Sequence, residues 1–67
     1  MFRAYYRDGI RSREFDSFED AQNWILSGFG QTSMDFPGAI VRIEGRSLRL
    51  ITSEGATIEF TTIEVIE

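Results

Sequence analysis

The chain has 67 residues, a formal net charge of −4, no cysteine, no histidine, and seven basic residues that are all arginine. This length predicts a single domain over residues 1–67, and such a domain buries only roughly 60% of the surface that its unfolded chain exposes. Disulfides and thiolate metal sites are excluded, so the nine aromatic residues (six Phe, two Tyr, one Trp) must supply much of the core. The acidic balance argues against general electrostatic binding of nucleic acid.

Residues 2–7 and 10–15 predict two strands joined at Asp8-Gly9, a dipeptide that is typical of tight hairpin turns. A two-residue loop pairs Phe2 with Phe15, and it pairs Arg3 with Glu14 on the opposite face. In this register the hairpin turns one face toward a helix, with Phe2, Ala4, Tyr6 and Phe15. The other face carries Tyr5, Arg7 and Ile10.

The stretch over residues 16–28 predicts the one helix of the chain. Ser17 is a good N-cap, and the acidic residues 19 and 20 suit the positive end of the helix dipole. Gly28 supplies a left-handed stop. One apolar stripe, which we expect to lie across one face of an antiparallel sheet, consists of Phe18, Ala21, Ile25 and Phe29.

Residues 30–38 are rich in helix and strand breakers and predict a connection, which we expect Phe36 to anchor to the core. Three strands follow, over residues 39–44, 47–52 and 56–66. Alternation assigns to the core face Val41, Ile43, Leu48, Leu50, Ile58 and Phe60. The opposite face receives Ile40, Arg42, Glu44, Arg49, Ile51 and Glu59.

The turn at Gly45 allows two registers. A Gly45-Arg46 loop places Arg42 opposite Arg49, where like charges repel, whereas a Glu44-Gly45 loop places Arg42 opposite Ser47. We prefer the second register, unless an anion or Glu59 bridges the two arginines. The next turn favours a three-residue loop with Gly55 as a G1 bulge, which sets Leu50 opposite Phe60.

The last strand breaks the alternation, because Ile63 and Val65 fall on the face opposite to Ile58 and Phe60. A bulge near Thr61-Thr62 would return both residues to the core side. Residues 63–67 overrun the preceding strand, so they pair either with the N-terminal hairpin or with a second copy of the chain as a homodimer edge. The predicted fold is α+β: a single β-β-α-β-β-β domain with an antiparallel sheet and one helix packed on one face.

Most enzyme classes lack their parts in this sequence. Without histidine, cysteine or lysine there is no Ser-His-Asp triad, thiolate nucleophile, Schiff base or imidazole metal ligand. We therefore predict no enzyme activity, no catalytic residue, no cofactor and no metal site. No apolar run resembles a signal peptide or a membrane span, so we expect a cytoplasmic location and no membrane association.

The N-terminal hairpin holds the one constellation that is typical of nucleic-acid readout, with guanidinium groups beside stacking aromatics. Its members are Arg3, Arg7, Arg11 and Arg13, interleaved with Tyr5 and Tyr6. The same residues also have a purely structural interpretation, in which acidic neighbours neutralise the arginines and Tyr6 belongs to the core.

The order β-β-α-β-β-β and the run from Phe36 to Glu44 (FPGAIVRIE) resemble small phage proteins that bind host machinery. The chain is most similar to some anti-CRISPR proteins that block type I surveillance complexes. This resemblance implies a phage- or prophage-borne inhibitor acting in the host cytoplasm. It implies a contact surface of strand-face polar residues, here Arg42, Glu44, Arg49 and Glu59.

We therefore expect a non-catalytic binding protein that inhibits or modulates a bacterial host protein complex. The predicted partner-binding residues are Tyr5, Arg7, Ile40, Arg42, Glu44, Arg49, Ile51 and Glu59. The alternatives are a small nucleic-acid-binding module that uses the hairpin, and a structural homodimer through the C-terminal strand.

Overall fold

A computed structural model describes residues 1–6 and 9–66. Its elements are β1 (Phe2–Tyr5), β2 (Ser12–Phe15), α1 (Phe18–Ser33), β3 (Ile40–Glu44), β4 (Ser47–Ile51), β5 (Thr57–Thr62) and β6 (Glu64–Val65). The strands form two antiparallel sheets of order β2-β1-β6 and β3-β4-β5. The α+β class and the packing of the helix on strands are confirmed, whereas the strands that we expected in one sheet are divided between two.

The N-terminal hairpin has the predicted register. Phe2 lies opposite Phe15, and Arg3 lies opposite Glu14 with 3.5 Å between the guanidinium and the carboxylate. Gly9 adopts a φ of 73°, as a tight turn requires. The two residues before it, at positions 7 and 8, lie outside the described residues, so the predicted two-residue loop is described only in part.

Helix α1 begins as predicted. Its N-cap is Ser17, whose Oγ accepts a hydrogen bond from the backbone N–H of Asp20 at 3.0 Å. Glu19 and Asp20 occupy the first turn, where their charge complements the unpaired N–H groups. The sequence therefore sets this end of the helix by local chemistry alone.

The other end of α1 differs from the prediction, because the helix passes through Gly28 and Gly30 and ends at Ser33. The predicted stop at Gly28 is therefore wrong. Phe29 explains the difference: it is buried, and it extends the apolar stripe by one turn, which outweighs the roughly 1 kcal/mol that each glycine costs in a helix. Hydrogen-bonded turns follow as far as residue 36. Pro37 has no N–H to continue this series, and a separate turn then joins the Ala39 N–H to the Phe36 carbonyl at 3.1 Å.

The connection after the helix is less buried than predicted. Phe36 remains 41% exposed and is outside the core, so the expectation that it anchors this segment is wrong. The backbone holds the segment instead, since the N–H groups of Asp35 and Phe36 donate to carbonyl oxygens of the last helical turn, each at 3.0 Å.

The β3–β4 turn has the register that we did not prefer. Gly45 and Arg46 form the loop, Gly45 has a φ of 60°, and Arg42 lies directly opposite Arg49. This register places Ile43 opposite Leu48 and Val41 opposite Leu50. Packing of two apolar pairs and the glycine at the first turn position together outweigh the repulsion between the exposed Arg42 and the half-buried Arg49.

The β4–β5 pair also differs from the prediction. The turn itself is confirmed, with Gly55 at a φ of 90° and its N–H donating to the Thr52 carbonyl at 2.9 Å. However, a bulge at Ile58 shifts the register, so that Leu50 lies opposite Glu59 and Arg49 lies opposite Phe60. The predicted pairing of Leu50 with Phe60 is therefore wrong.

The last strand is interrupted at Ile63, which is buried and separates β5 from β6. Its N–H donates to the Arg46 carbonyl at 2.8 Å, and its own carbonyl accepts from the Arg46 guanidinium at 3.3 Å. The predicted return of Ile63 to the core is confirmed, but Val65 stays exposed. Strand β6 pairs with β1 within the chain, which is one of the two predicted choices for this segment. A homodimer through residues 63–67 stays a prediction.

One core joins both sheets to the helix. Its buried members are Ala4, Ala21, Ile25, Phe29, Leu48, Leu50 and Ile63. Helix α1 lies mainly against β1 and β2, and the second sheet extends beyond it, which gives the molecule extents of 38 × 21 × 17 Å. Much of the second sheet is therefore left uncovered.

Candidate functional site

The face of the second sheet that points away from the helix is the main candidate surface, and we call it the open face. Because Leu48 and Leu50 are buried on the helix side, the residues that alternate with them, and their cross-strand partners, lie on the open face. These are Ile40, Arg42, Glu44, Ser47, Arg49, Ile51, Phe60 and Thr62. The structure thus brings together five of the eight predicted partner-binding residues.

Two guanidinium groups dominate the open face. Arg42 and Arg49 lie opposite each other on neighbouring strands, and neither forms an ion pair with a carboxylate of the described part of the chain. Such a like-charged pair is unfavourable by itself and gains from an anionic group placed between its members. The arrangement suits a carboxylate supplied by another molecule.

Phe60 adds an exposed aromatic ring beside these arginines. Its side chain is 58% exposed, and the Arg49 guanidinium carbon lies 5.4 Å from its ring centroid. The two residues border a shallow depression of about 240 Å³, which is also lined by Arg42, Glu44 and Ser47. Sequence reasoning placed Phe60 in the core, because a strict alternation along the strand ignores the bulge at Ile58.

Ile40, 61% exposed, and the half-buried Ile51 lie opposite each other at one end of the open face. Together with Phe60 they provide apolar area around the charged pair. This combination of arginine, aromatic and aliphatic side chains is typical of protein-binding hot spots.

Glu59 does not belong to the open face, so its predicted position there is wrong. It follows the bulge and points toward the helix, where its Oε1 accepts a hydrogen bond from the Thr32 hydroxyl at 3.1 Å. Its Oε2 is buried and has no hydrogen-bond partner among the described residues. Glu59 therefore cannot bridge Arg42 and Arg49.

A cavity of about 310 Å³ lies between the C-terminal half of the helix, the end of β1 and strand β5. Its wall includes Tyr5, Tyr6, Trp24, Phe29 and Glu59. The Oε2 atom of Glu59, one of the lining residues, is buried and has no hydrogen-bond partner among the described residues.

Tyr5, a predicted partner-binding residue on the hairpin, lies on β1 in the first sheet and is therefore not part of the open face. The Tyr5 hydroxyl donates to Glu64 Oε1 at 3.0 Å, which ties β1 to β6. Hydrogen bonds with Tyr5 and then with Glu14 raise the pKa of the Arg3 guanidinium, so Arg3 keeps its charge. Arg7 lies outside the described residues.

The hairpin aromatics are occupied by contacts within the chain. The Arg11 guanidinium lies 4.3 Å from the Tyr6 ring centroid, and that of Arg13 lies 5.3 Å from the Phe15 centroid. Both rings also pack on Trp24, so base stacking would have to displace existing partners.

No group of three or more metal-ligating carboxylates occurs in residues 1–6 and 9–66. Over the same ranges, no helix is both long and apolar enough to cross a bilayer. The chain matches no protein-family model, no curated protein and no solved structure.

Proposed function

We propose that this chain is a non-catalytic protein-binding module that docks through the open face. The observation that carries this proposal is the pair Arg42 and Arg49, which lie opposite each other beside the exposed ring of Phe60. Neither arginine forms an ion pair with a carboxylate in residues 1–6 and 9–66. A partner surface that offers a carboxylate to the two guanidinium groups and an apolar side chain to Phe60 would satisfy both features.

The partner is a protein complex of a bacterial host, and the chain inhibits or modulates it from within the host cytoplasm. The resemblance to anti-CRISPR inhibitors supports a type I surveillance complex as the first partner to test. Such complexes bind the phosphate backbone of a guide RNA and therefore have basic protein surfaces. The net charge of −4 allows the parts of this chain outside the open face to contact those basic surfaces.

Binding of a purified type I surveillance complex to the immobilised chain tests this partner directly. We expect saturable binding that falls about tenfold or more for Phe60→Ala and for Arg49→Glu, since both residues have the character of hot spots. Ile10→Ala is the matched control: Ile10 is also an exposed apolar residue but lies on the hairpin, so its loss should leave binding unchanged.

The surface can be tested independently of the named complex. In affinity purification from bacterial lysate, a specific partner should be retained by the native chain and by Ile10→Ala, and lost with Phe60→Ala and Arg49→Glu. Equal retention by all four proteins would refute the open face as the docking surface. Absence of binding to the purified complex would refute that partner only.

A further inference from the structure

We propose that two copies of the chain associate by antiparallel pairing of their β3 strands, centred on Ile43, into one continuous six-stranded sheet. Strand β3 is the edge of the second sheet, and all five of its residues are exposed. This inference concerns the sheet edge and does not depend on the proposed function of the open face.

The backbone of β3 is ready for a further strand. Because Gly45-Arg46 is a two-residue loop, the flanking pair Glu44 and Ser47 is a hydrogen-bonded pair, and the bonding alternates from there along the ladder. The N–H and C=O groups of Val41 and Ile43 therefore point away from β4. In antiparallel pairing centred on Ile43, the groups of Ile43 bond to those of its symmetry mate, while Val41 lies opposite Gly45 of the other copy.

The edge lacks several of the features that usually prevent such pairing, although it is short and carries Arg42 and Glu44. Strand β3 contains no proline, no lysine and no bulge, and the described residues place no segment against its outer side. Val41 and Ile43 are 39% and 48% exposed on the helix side of the sheet. In the proposed dimer these apolar side chains from the two copies meet, with Ile43 opposite its symmetry mate.

Charge complementarity selects the second copy as the occupant and fixes the register. Pairing centred on Ile43 places Arg42 of each copy opposite Glu44 of the other, in non-hydrogen-bonded pairs where side chains approach most closely. Neither residue has an ion-pair partner within the described part of its own chain. The symmetric interface thus makes two ion pairs, and the added carboxylate offsets the repulsion between Arg42 and Arg49, which stay opposite each other.

The neighbouring register is disfavoured by the same residues. Pairing centred on Arg42 would align Arg42 of both copies between the two Arg49 side chains, four guanidinium groups in one row across the sheet. It would also set Ile40 opposite Glu44. The strand pair is short, so the interface lies at the small end of specific interfaces, and we expect association at micromolar concentrations.

Analytical ultracentrifugation across micromolar to sub-millimolar concentrations tests the proposal. The native chain should shift from monomer to dimer. Arg42→Glu and Glu44→Arg, each alone, should raise the dimer dissociation constant about tenfold or more, because each converts two attractive cross-strand pairs into repulsive ones. The double variant Arg42→Glu/Glu44→Arg should restore dimerisation, since it only reverses the two ion pairs.

A monomer at every concentration for the native chain would overturn the proposal. Stronger dimerisation of Arg42→Glu alone would overturn the Ile43-centred register. That result is expected for the Arg42-centred register, in which the two new carboxylates would lie between the two Arg49 side chains. Ile43→Lys, which puts a charge at the centre of the interface, should give a monomer with an unchanged circular dichroism spectrum. Two variants separate dimerisation from partner docking through the open face. Arg42→Glu/Glu44→Arg should restore the dimer but not the docking of a partner carboxylate on Arg42. Phe60→Ala should weaken docking and leave the dimer intact.

Discussion

Replacement of Gly28 by alanine tests whether the helix continues beyond the point where its sequence signals a stop. In the structure Gly28 is inside α1 with helical backbone, and a Cβ built there meets no atom within 4 Å. Alanine should therefore remove the conformational penalty of glycine without a clash, which is worth about 0.5–1 kcal/mol. If Gly28 were a left-handed stop, the same change would instead destabilise the chain by about 1 kcal/mol.

The expected gain is large enough to measure in a chain of this size. A stability of about 0.05–0.15 kcal/mol per residue gives a total of roughly 3–10 kcal/mol. For small domains each kcal/mol moves Tm by about 4–8 °C, so Gly28→Ala should raise Tm by about 2–8 °C. Circular dichroism at the helix band during thermal unfolding, with urea unfolding at fixed temperature, gives both quantities.

Two further glycine variants make the sign of this effect interpretable. Gly30→Ala, also inside the helix and also free of contacts, should stabilise by a similar amount, and the gains should add approximately. Gly45→Ala is the matched control, because its φ of 60° penalises any side chain and the variant should lose about 1–2 kcal/mol. A fall in Tm for Gly28→Ala would refute the helical continuation.

The remaining predictions concern the helix cap, the core and the buried carboxylate. Ser17→Ala should lower the free energy of unfolding by about 1 kcal/mol through loss of the 3.0 Å cap bond, whereas Ser27→Ala on the exposed helix surface should change it little; equal effects in urea unfolding would contradict the cap. Phe29→Ala should lower the free energy of unfolding by about 3–5 kcal/mol, which is much of the total stability. A urea midpoint equal to that of the native chain would show that the last helical turns do not pack on the core. Glu59→Met should increase the free energy of unfolding by about 1 kcal/mol and so raise the urea midpoint. The change removes a buried oxygen that has no partner among the described residues and loses only the hydrogen bond from Thr32. A lower midpoint would mean that the carboxylate is better satisfied than its contacts indicate.

The features that the sequence predicts correctly depend on local chemistry. Ser17 caps the helix through a bond to a residue three positions away, and the hairpin register follows from a turn between two short strands. Both are decided within a few residues, so propensity and pairing rules are sufficient. The C-terminal end of α1 is different, because burial of Phe29 against distant strands outweighs the local signal of Gly28.

The candidate site was predicted only in part for a related reason. Opposition of Arg42 and Arg49 was not preferred because of charge, yet a like-charged pair at the surface costs little beside the packing of Ile43 on Leu48. The bulge at Ile58 has no glycine or proline to mark it, and it reverses the faces of all later residues in β5. It is this reversal that exchanged Glu59 and Phe60 between the two sides of the sheet.

The pairing of β6 with β1 sets the order in which the chain can fold. Tyr5 and Glu64 are 59 positions apart, so the first sheet is complete only after the whole intervening chain has been synthesised. Closing such a long loop carries an entropic cost that the hairpins do not share. During synthesis the edge of β1 that later binds β6 stays unpaired, while β3, β4 and β5 can pair with strands adjacent in the sequence. Arrival of Ile63 and β6 is then the step that unites the two halves of the described fold.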